Sequence, residues 1–151
     1  MIEFITDKQL IKPSDISSFL YSIDDDFIPK LSERLCIDNW VSKILLKAEL
    51  ICAKTENKTV GLIVFYANDN NSHTAYISLL GVSSTFRKQG IGTDLLVRSF
   101  KKMKEKGMII VGIHTNKENA LELYKKTGFK LISQTSTDNT SLIRYYLEQE
   151  L

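Results

Sequence analysis

The sequence predicts one mixed α/β (α+β) domain, with a mostly antiparallel central sheet of six to seven strands and about four helices on its two faces. Three observations support this prediction. The length of 151 residues suits a single domain. The 43% hydrophobic and 25% charged residues are typical of a globular protein. The apolar spacing also switches repeatedly between the helical and the strand period. We therefore expect residues 1–151 to form one domain.

Two helices are expected before most of the sheet. Residues 2–5 alternate weakly, as in a short strand, and Pro13 and Ser14 introduce a helix with apolar residues at helical spacing. The acidic stretch 24–34 contains a proline and predicts an ordered loop or a broken helix. One wide apolar stripe predicts the second helix, and it consists of Ile37, Trp40, Val41, Ile44, Leu45 and Ala48.

A three-stranded antiparallel meander is expected next. Residues 50–54 and 59–66 alternate with a period of two around a polar turn, which predicts a hairpin. A second polar turn, residues 68–73, precedes a third strand, Thr74–Val82, which is rich in β-forming residues.

A strand–helix–strand crossover, a further helix and a closing hairpin complete the prediction. The long helix begins at residues 90–92 and ends at Gly107, and residues 108–113 are an apolar run of strand length. Residues 115–118 fit a capping box for another helix, which Gly128 ends. The closing strands are predicted at 129–133 and 141–147, around the polar residues 135–140.

Composition and charge argue against several functional classes. The net charge of +2 is too small to indicate a nucleic acid or an anionic membrane as partner. Cys36 and Cys52 stand alone among apolar residues, which predicts buried free thiols rather than a metal site or a disulfide. We find no signal-peptide pattern and no apolar run of membrane-span length, so we expect a reduced, soluble, cytoplasmic protein.

The turn between the third strand and the long helix predicts an anion-binding site. Gly90 and Gly92 carry no side chains where the strand turns into the helix, so backbone N–H groups can converge on an anion there. Arg87 and Lys88 add cations at the same rim. A tightly packed helix entry would use the same glycines. The Walker and dinucleotide fingerprints are both absent, because no Gly-Lys-Ser/Thr follows and position 95 is leucine.

Two motifs in residues 74–130 resemble those of the GNAT superfamily of acyl-CoA-dependent N-acetyltransferases. Val82 followed by Arg87-Lys-Gln-Gly-Ile-Gly matches the central motif of a strand, Arg-x-x-Gly-x-Gly and a helix. The second motif is matched by Ala120-Leu-Glu-Leu-Tyr-Lys-Lys-Thr-Gly-Phe. The resemblance implies acetyl-CoA (coenzyme A) as the acyl donor, and a pair of parallel strands that splay apart to form its cleft.

The resemblance also implies how the donor is held. Backbone N–H groups of the turn would bind the pyrophosphate, and the third strand of the meander would pair with the pantetheine amides and stabilise the developing oxyanion. The asparagine position of the family is Lys117 here, so Asn119 is the expected contact. The expected cofactor-binding residues are Leu80, Gly81, Val82, Arg87, Lys88, Gln89, Gly90, Ile91, Gly92, Thr93, Asn119 and Tyr124.

Three residues are the candidates for catalysis. The resemblance places Tyr124 near the cofactor sulfur, where its phenol could protonate the departing thiolate; filling the interface between helix and sheet is its alternative role. Tyr76 occupies the position where some family members have a catalytic glutamate, and strand alternation puts Ser78 on the same face.

The base remains open among several groups, because neither Tyr76 nor Ser78 is a good base at neutral pH. A water-mediated path to Asp25 or Asp26 is one route, and an amine that arrives neutral is another. The two histidines, His73 and His114, are the other titratable candidates.

A small polar amine, such as an amino sugar or a polyamine, is the expected acceptor. The polar and acidic residues expected to bind it are Asp25, Asp26, Tyr66 and Asn68. Acetylation of a protein terminus or lysine is the alternative within the fold, and a non-catalytic acyl-CoA sensor is the alternative from another class. Direct attack is expected because both cysteines lie in predicted core elements. A homodimer is one expected arrangement, since the last strand offers an edge that could pair.

Overall fold

The computed structural model describes residues 1–136 and 142–151, and these form seven strands and five α-helices. The strands are β1 Glu3–Ile5, β2 Glu49–Thr55, β3 Lys58–Tyr66, β4 Thr74–Val82, β5 Ile110–Thr115, β6 Lys130–Ser136 and β7 Ile143–Glu150. The helices are α1 Pro13–Ser22, α2 Leu31–Arg34, α3 Ile37–Lys47, α4 Ile91–Glu105 and α5 Glu118–Thr127. The mixed α/β fold predicted from the sequence is confirmed.

The strands make one sheet in the order β1-β2-β3-β4-β5-β7-β6, in which only β4 and β5 are parallel neighbours. Their pairing is short: Thr74–Ile77 lie opposite Ile110–Ile113. Both strands then continue, to Val82 and to Thr115, without pairing with each other. The parallel strands therefore separate beyond Ile77, and the expected splay is present.

Two apolar cores lie on opposite faces of the sheet. One is formed by α4 and α5 with buried residues of β2, β3, β4, β5 and β7, and the other by α1 to α3 with buried residues of β2, β3 and β4. The buried strand residues beneath α1 to α3 thus come from only part of the sheet. On that face, the half formed by β5 and β7 contributes no residue to either core, and the candidate site lies there.

A β-bulge in β4 reverses which face its side chains occupy. Phe65 pairs with Ile77 and Val64 with Leu79, which leaves Ser78 without a partner in the register. Ile77 belongs to the core under α4 and α5, whereas Leu79 belongs to the core under α1 and α3. The alternation that put Ser78 on the same face as Tyr76 is therefore interrupted at Ser78 itself.

Several expectations about the C-terminal half need correction. Residues 115–118 do not form a capping box: Thr115 is still paired with Tyr145 in the sheet, and α5 begins only at Glu118. The last strand is not an edge, because β7 lies between β5 and β6; the edges are β1 and β6. The closing hairpin forms with longer strands than predicted, and residues 137–140 of its turn lie outside the described residues.

The two cysteines differ in environment. Cys52 is 1% exposed in β2, as expected, and burial raises the pKa of its thiol to about 12. Cys36 is exposed, contrary to the expectation. It directly precedes α3, and the next residue, Ile37, takes the buried position.

Candidate active site

The turn before α4 leaves room for an anion beside bare backbone amides. Gly90 has φ +81° and precedes the first residue of α4, and Lys88 also has a positive φ of +64°. A Cβ built on Gly90 meets no atom within 4 Å, and no side chain caps the helix. The first N–H groups of a helix have no partner within it, so those of α4 are available to a phosphate. The turn thus has the open space and the unpartnered N–H groups that the expected anion site requires.

Gly92 serves the packing of two elements. A Cβ there would lie 3.6 Å from Leu123 Cδ2 and 3.9 Å from Val82 Cγ2, which are ordinary contact distances. Leu123 is in α5, so Gly92 lies where the two sequence motifs pack together. Of the two glycines, only Gly90 has the open space and the positive φ that the anion-binding interpretation needs.

Arg87 is held by neighbouring groups and is not a free cation at the rim. Its Nη2 lies 2.5 Å from Asp26 Oδ2, and its Nε donates to Val82 O at 3.3 Å. Both groups also act on Lys117: burial lowers the pKa of its ammonium group, the negative charge of Asp26 opposes this shift, and the positive charge of Arg87 adds to it. The ion pair thus joins the turn before α4 to the segment that follows α1.

The segment after α1 is tied down at several further points. Asn116 Nδ2 donates to Ile28 O, and Lys117 Nζ lies 5.6 Å from the centre of the Phe27 ring. Residues 24–30 therefore contact the turn before α4, through Asp26, and the loop after β5, through Ile28.

Each of the three consecutive aspartates has a partner in the structure. Asp24 accepts hydrogen bonds from Ser32 N and Oγ, at 2.9 and 2.6 Å, and these bonds lower its pKa. Asp25 pairs with Lys30 at 3.0 Å and is 85% exposed, and Asp26 pairs with Arg87. This reduces the charge available to a cationic acceptor.

Tyr76 and His114 form a hydrogen-bonded pair beside the splayed strands. Tyr76 Oη lies 2.7 Å from His114 Nδ1, and both side chains are partly buried. Tyr76 belongs to the paired part of β4, while His114 is the first β5 residue beyond the β4 pairing. The pair therefore lies where the two parallel strands separate.

The environment of this pair favours its uncharged form. Burial, and then the positive charge of Arg144, lower the pKa of His114. Burial raises the pKa of Tyr76, an effect that Arg144 opposes. With Nδ1 unprotonated, the Tyr76 hydroxyl donates to it, so that Tyr76 Oη can take a proton while its own proton passes to His114.

Strand β7 brings further polar groups to the same face. Tyr145 and Leu147 are buried on the side of α4 and α5, so the residues between and beside them face the other way. These are Arg144, Tyr146 and Glu148. Tyr146 pairs with His114 in the sheet, and its hydroxyl donates to Glu148 Oε2 at 2.7 Å.

Tyr124 is buried in the core formed by α4 and α5. It is 6% exposed, and its ring packs edge-on against Phe129 with centroids 5.7 Å apart. Burial raises the pKa of its phenol to about 12. A group with this pKa stays protonated at neutral pH and can donate a hydrogen bond, but it gives up its proton reluctantly. The structure shows the packing role in the core, and the proton donation to the departing thiolate stays a prediction.

Of the other candidates, Tyr66 lies beside this pair, whereas Asn68 and Asn119 are exposed. Asn68 is exposed in the turn before β4. Val82, at the end of β4 where the donor is expected to bind, lies six positions after Tyr76, which corresponds to roughly 20 Å of strand. Tyr66 lies opposite Tyr76 on the neighbouring strand β3 and packs on the core under α1 and α3. Asn119 is exposed in the first turn of α5.

Sequence reasoning did not assign roles to several residues of this face. Gly112, Arg144, Tyr146 and Glu148 were not singled out, and His114 was only a minor candidate. The signal was present in part, because alternation along β7 separates Tyr146 from its buried neighbours. The pairing of β7 with β5, which brings Tyr146 to His114, could not be read from the sequence.

No helix within residues 1–136 and 142–151 has the length and apolar character needed to cross a membrane.

Comparison with known proteins identifies relatives of this chain. A family model described as "Acetyltransferase (GNAT) family" matches residues 17–129. Human N-alpha-acetyltransferase 30 is 29% identical over 118 residues, which are 76% of this chain and 29% of that protein. The chain spans only 29% to 37% of the length of the curated relatives that it matches.

Two solved structures illustrate the likeness of fold. A GNAT family acetyltransferase from Elizabethkingia anophelis with acetyl-CoA bound has a TM-score of 0.72 and 24% identity, with 99% of this chain and 98% of that chain covered. An aminoglycoside 6'-N-acetyltransferase complexed with coenzyme A has a TM-score of 0.80 and 16% identity, with 99% and 96% covered. At such identities the structures demonstrate a shared fold.

Proposed function

The chain belongs to the GNAT family of acetyltransferases, and from this premise we propose that it transfers an acetyl group from acetyl-CoA to a primary amine by direct attack. The observation that carries the proposal is the Tyr76–His114 pair, 2.7 Å apart, placed where the two parallel strands separate. A chain that only bound the donor would not need a proton acceptor there. We also propose that residues 1–151 act as one domain, since one sheet includes strands from both ends of the chain.

The donor would be held mainly by main-chain groups. The residues proposed for this are the turn Arg87–Thr93, through its backbone N–H groups, and the edge of β4 at Leu80, Gly81 and Val82 that faces the separated β5. When bound, acetyl-CoA supplies a thioester whose carbonyl carbon accepts the attacking nitrogen. A β4 amide would stabilise the negative charge that develops on the carbonyl oxygen. Tyr124 would donate a hydrogen bond to the sulfur as its bond to the carbonyl carbon breaks and coenzyme A leaves as the thiolate.

The Tyr76–His114 pair would remove the proton that the amine loses on attack. Tyr76 Oη takes this proton, and the Tyr76 hydroxyl proton passes to His114 Nδ1. Burial and Arg144 lower the pKa of His114, so that Nδ1 is free to accept at neutral pH. The bulge at Ser78 leaves that residue without a partner in the register, and we assign it no step.

The acceptor would lie on the face formed by Tyr76, His114 and Tyr146. A small polar amine of the amino sugar or polyamine type is the first candidate, with Asp25, Asp26, Tyr66 and Asn68 as its proposed contacts. The engagement of Asp26 by Arg87 weakens the argument for a polycationic acceptor. The α-amine of a peptide is the second candidate, favoured by the likeness to human N-alpha-acetyltransferase 30.

A thiol-release assay with acetyl-CoA tests the proposal. The acceptors are spermidine, glucosamine, and a peptide with either a free or a blocked amino terminus. We expect turnover with one free amine and none with the blocked peptide. His114→Asn should lower kcat by about 100-fold, in the range of general base catalysis, without changing the affinity for coenzyme A. Tight binding of coenzyme A without turnover on any amine would favour the sensor instead.

A further inference from the structure

We propose that Tyr146 is a positioning residue, which lies over Gly112 and holds the ring of His114 in the orientation that presents Nδ1 to Tyr76. The inference rests on the proposed function, because it concerns the proton acceptor of the same site. It gives a role in proton transfer to Tyr146, so far only part of the acceptor face, and it uses two further residues, Gly112 and Glu148, that the proposed reaction does not.

Gly112 provides the space in which Tyr146 lies. A Cβ built on Gly112 would come within 2.9 Å of Tyr146 Cε1 and 3.0 Å of Cζ, and closer still to its hydroxyl oxygen. Distances under 3.0 Å are not tolerated between such atoms, so any side chain at position 112 would displace the tyrosine. The three nearest atoms all belong to Tyr146. The glycine therefore accommodates the position of this one side chain.

Tyr146 is fixed at both ends. Its backbone pairs with His114, and its hydroxyl donates a hydrogen bond at 2.7 Å to Glu148, which pairs with Gly112. Burial, and then Glu148, raise the pKa of Tyr146 to about 12, so the phenol stays protonated and keeps donating. The Tyr146 ring is thus held beside the imidazole, with centroids 4.7 Å apart.

The orientation of the imidazole decides whether the pair can work. Rotation of the ring by half a turn about its Cβ–Cγ bond exchanges Nδ1 for a carbon, and Tyr76 then loses its hydrogen-bond partner. A neighbouring ring that packs against the imidazole restricts this rotation. The ionisable groups near His114 are Tyr76 from β4, and Arg144, Tyr146 and Glu148 from β7.

Gly112→Ala is the first test, because it adds one methyl group aimed at Tyr146. Alanine suits a strand at least as well as glycine, so the protein should remain folded. We expect kcat to fall by about 10- to 100-fold, since a misplacement of about 1 Å can cost that much, while KM for acetyl-CoA stays within about twofold. Tyr146→Ala should lower kcat similarly, and Tyr146→Phe, which keeps the ring beside His114 but loses the hydrogen bond to Glu148, should retain more activity than Tyr146→Ala.

The double variant separates positioning from general damage. In the Tyr146→Ala background the added methyl group meets no tyrosine, so Gly112→Ala should cause no further loss. A full additional loss in the double variant would show that Gly112 acts through another group and would overturn the proposal.

Nitrogen-15 NMR of the imidazoles gives a readout that does not depend on turnover. The sequence contains two histidines, and His73, in the turn before β4, serves as the internal reference. We expect one tautomer of His114 in the wild type and in Tyr146→Phe, and a mixture in Gly112→Ala and Tyr146→Ala. If this is observed but no amine is acetylated, the positioning role stands and the proposed function fails. If the enzyme is active and Gly112→Ala alters neither the tautomer nor the pH profile of kcat, the positioning role is refuted.

Discussion

Replacement of Asp26 by asparagine should strengthen the binding of coenzyme A. In the free protein the Arg87 guanidinium is paired with Asp26 at 2.5 Å, at the rim of the turn proposed to bind the pyrophosphate. The incoming phosphates must then compete with a carboxylate for the same cation. Asparagine removes the charge but keeps nearly the same shape, so Arg87 becomes available at no cost in packing.

The size of the effect follows from the exposure of the pair. The Arg87 and Asp26 side chains are 48% and 32% exposed, so solvent screens their attraction. Such pairs contribute about 0.2 to 1 kcal/mol. Since 1.4 kcal/mol corresponds to a factor of ten, the dissociation constant for coenzyme A should fall by at most about fivefold. The gain should shrink at about 0.5 M salt, where charges are screened over a few ångströms.

Titration calorimetry with coenzyme A measures this, and Asp25→Asn is the matched control. Asp25 carries the same charge one residue away but pairs with Lys30, not with Arg87. An equal gain in both variants would mean that the overall charge, and not the ion pair, controls affinity. Weaker binding by Asp26→Asn would refute the reasoning, because it would show that Asp26 orients Arg87 for the ligand instead of competing with it.

Three further predictions concern other parts of the molecule. Gly90→Leu should weaken coenzyme A binding at least 10-fold, because the added side chain fills the open space at the turn. Gly107→Leu is the control: it lies at the other end of α4 with a similar φ of +85°, and it should lower stability without weakening this binding. Calorimetry measures the binding of coenzyme A, and thermal melts measure the stability of both variants. Burial raises the pKa of Glu49, but Lys106 and Lys102 lower it by more, so the pKa in the folded protein lies below its usual value. The stabilisation that Glu49 provides is therefore fully present above pH 4.5 and is lost as the pH falls through the pKa of the folded state. Glu49→Gln should therefore flatten the acid limb of stability measured by urea unfolding, and reduce stability at neutral pH by about 1 kcal/mol. Tyr124→Phe should lower kcat by only about fivefold, the value of one hydrogen bond, since a phenol of pKa about 12 is a poor acid; a loss above 100-fold in the thiol-release assay would instead indicate full proton donation.

The donor side of the site could be predicted from the sequence because its determinants are local. The positive φ of Gly90, the strand that ends at Val82 and the start of α4 all depend on a few consecutive residues. Main-chain amides are proposed to bind the anion there, and for such a site the identity of distant side chains matters little. The same holds for the strands of the meander, whose alternation is a local pattern.

The acceptor side could not be predicted because it depends on strand order. Tyr76 and His114 are separated by 38 residues, and they meet only because β5 joins β4 in parallel. Tyr146 reaches His114 because β7 enters the sheet between β5 and β6, an arrangement that the period-two pattern of β7 does not specify. The partner of Asp26 was equally hidden, since Arg87 lies 61 residues away.

This difference explains why the family is clear from the sequence while the acceptor is not. The two solved structures compared above hold acetyl-CoA or coenzyme A, and the glycine-rich turn proposed to bind this donor places few constraints on side chains. The proposed acceptor face instead combines side chains from β4, β5 and β7 with the segment after α1. A change at one position on that face, such as a side chain at Gly112, alters the contacts made by the others. Substrate choice in this chain should therefore respond to substitutions at Arg144, Tyr146 and Glu148 before it responds to any change in the donor turn.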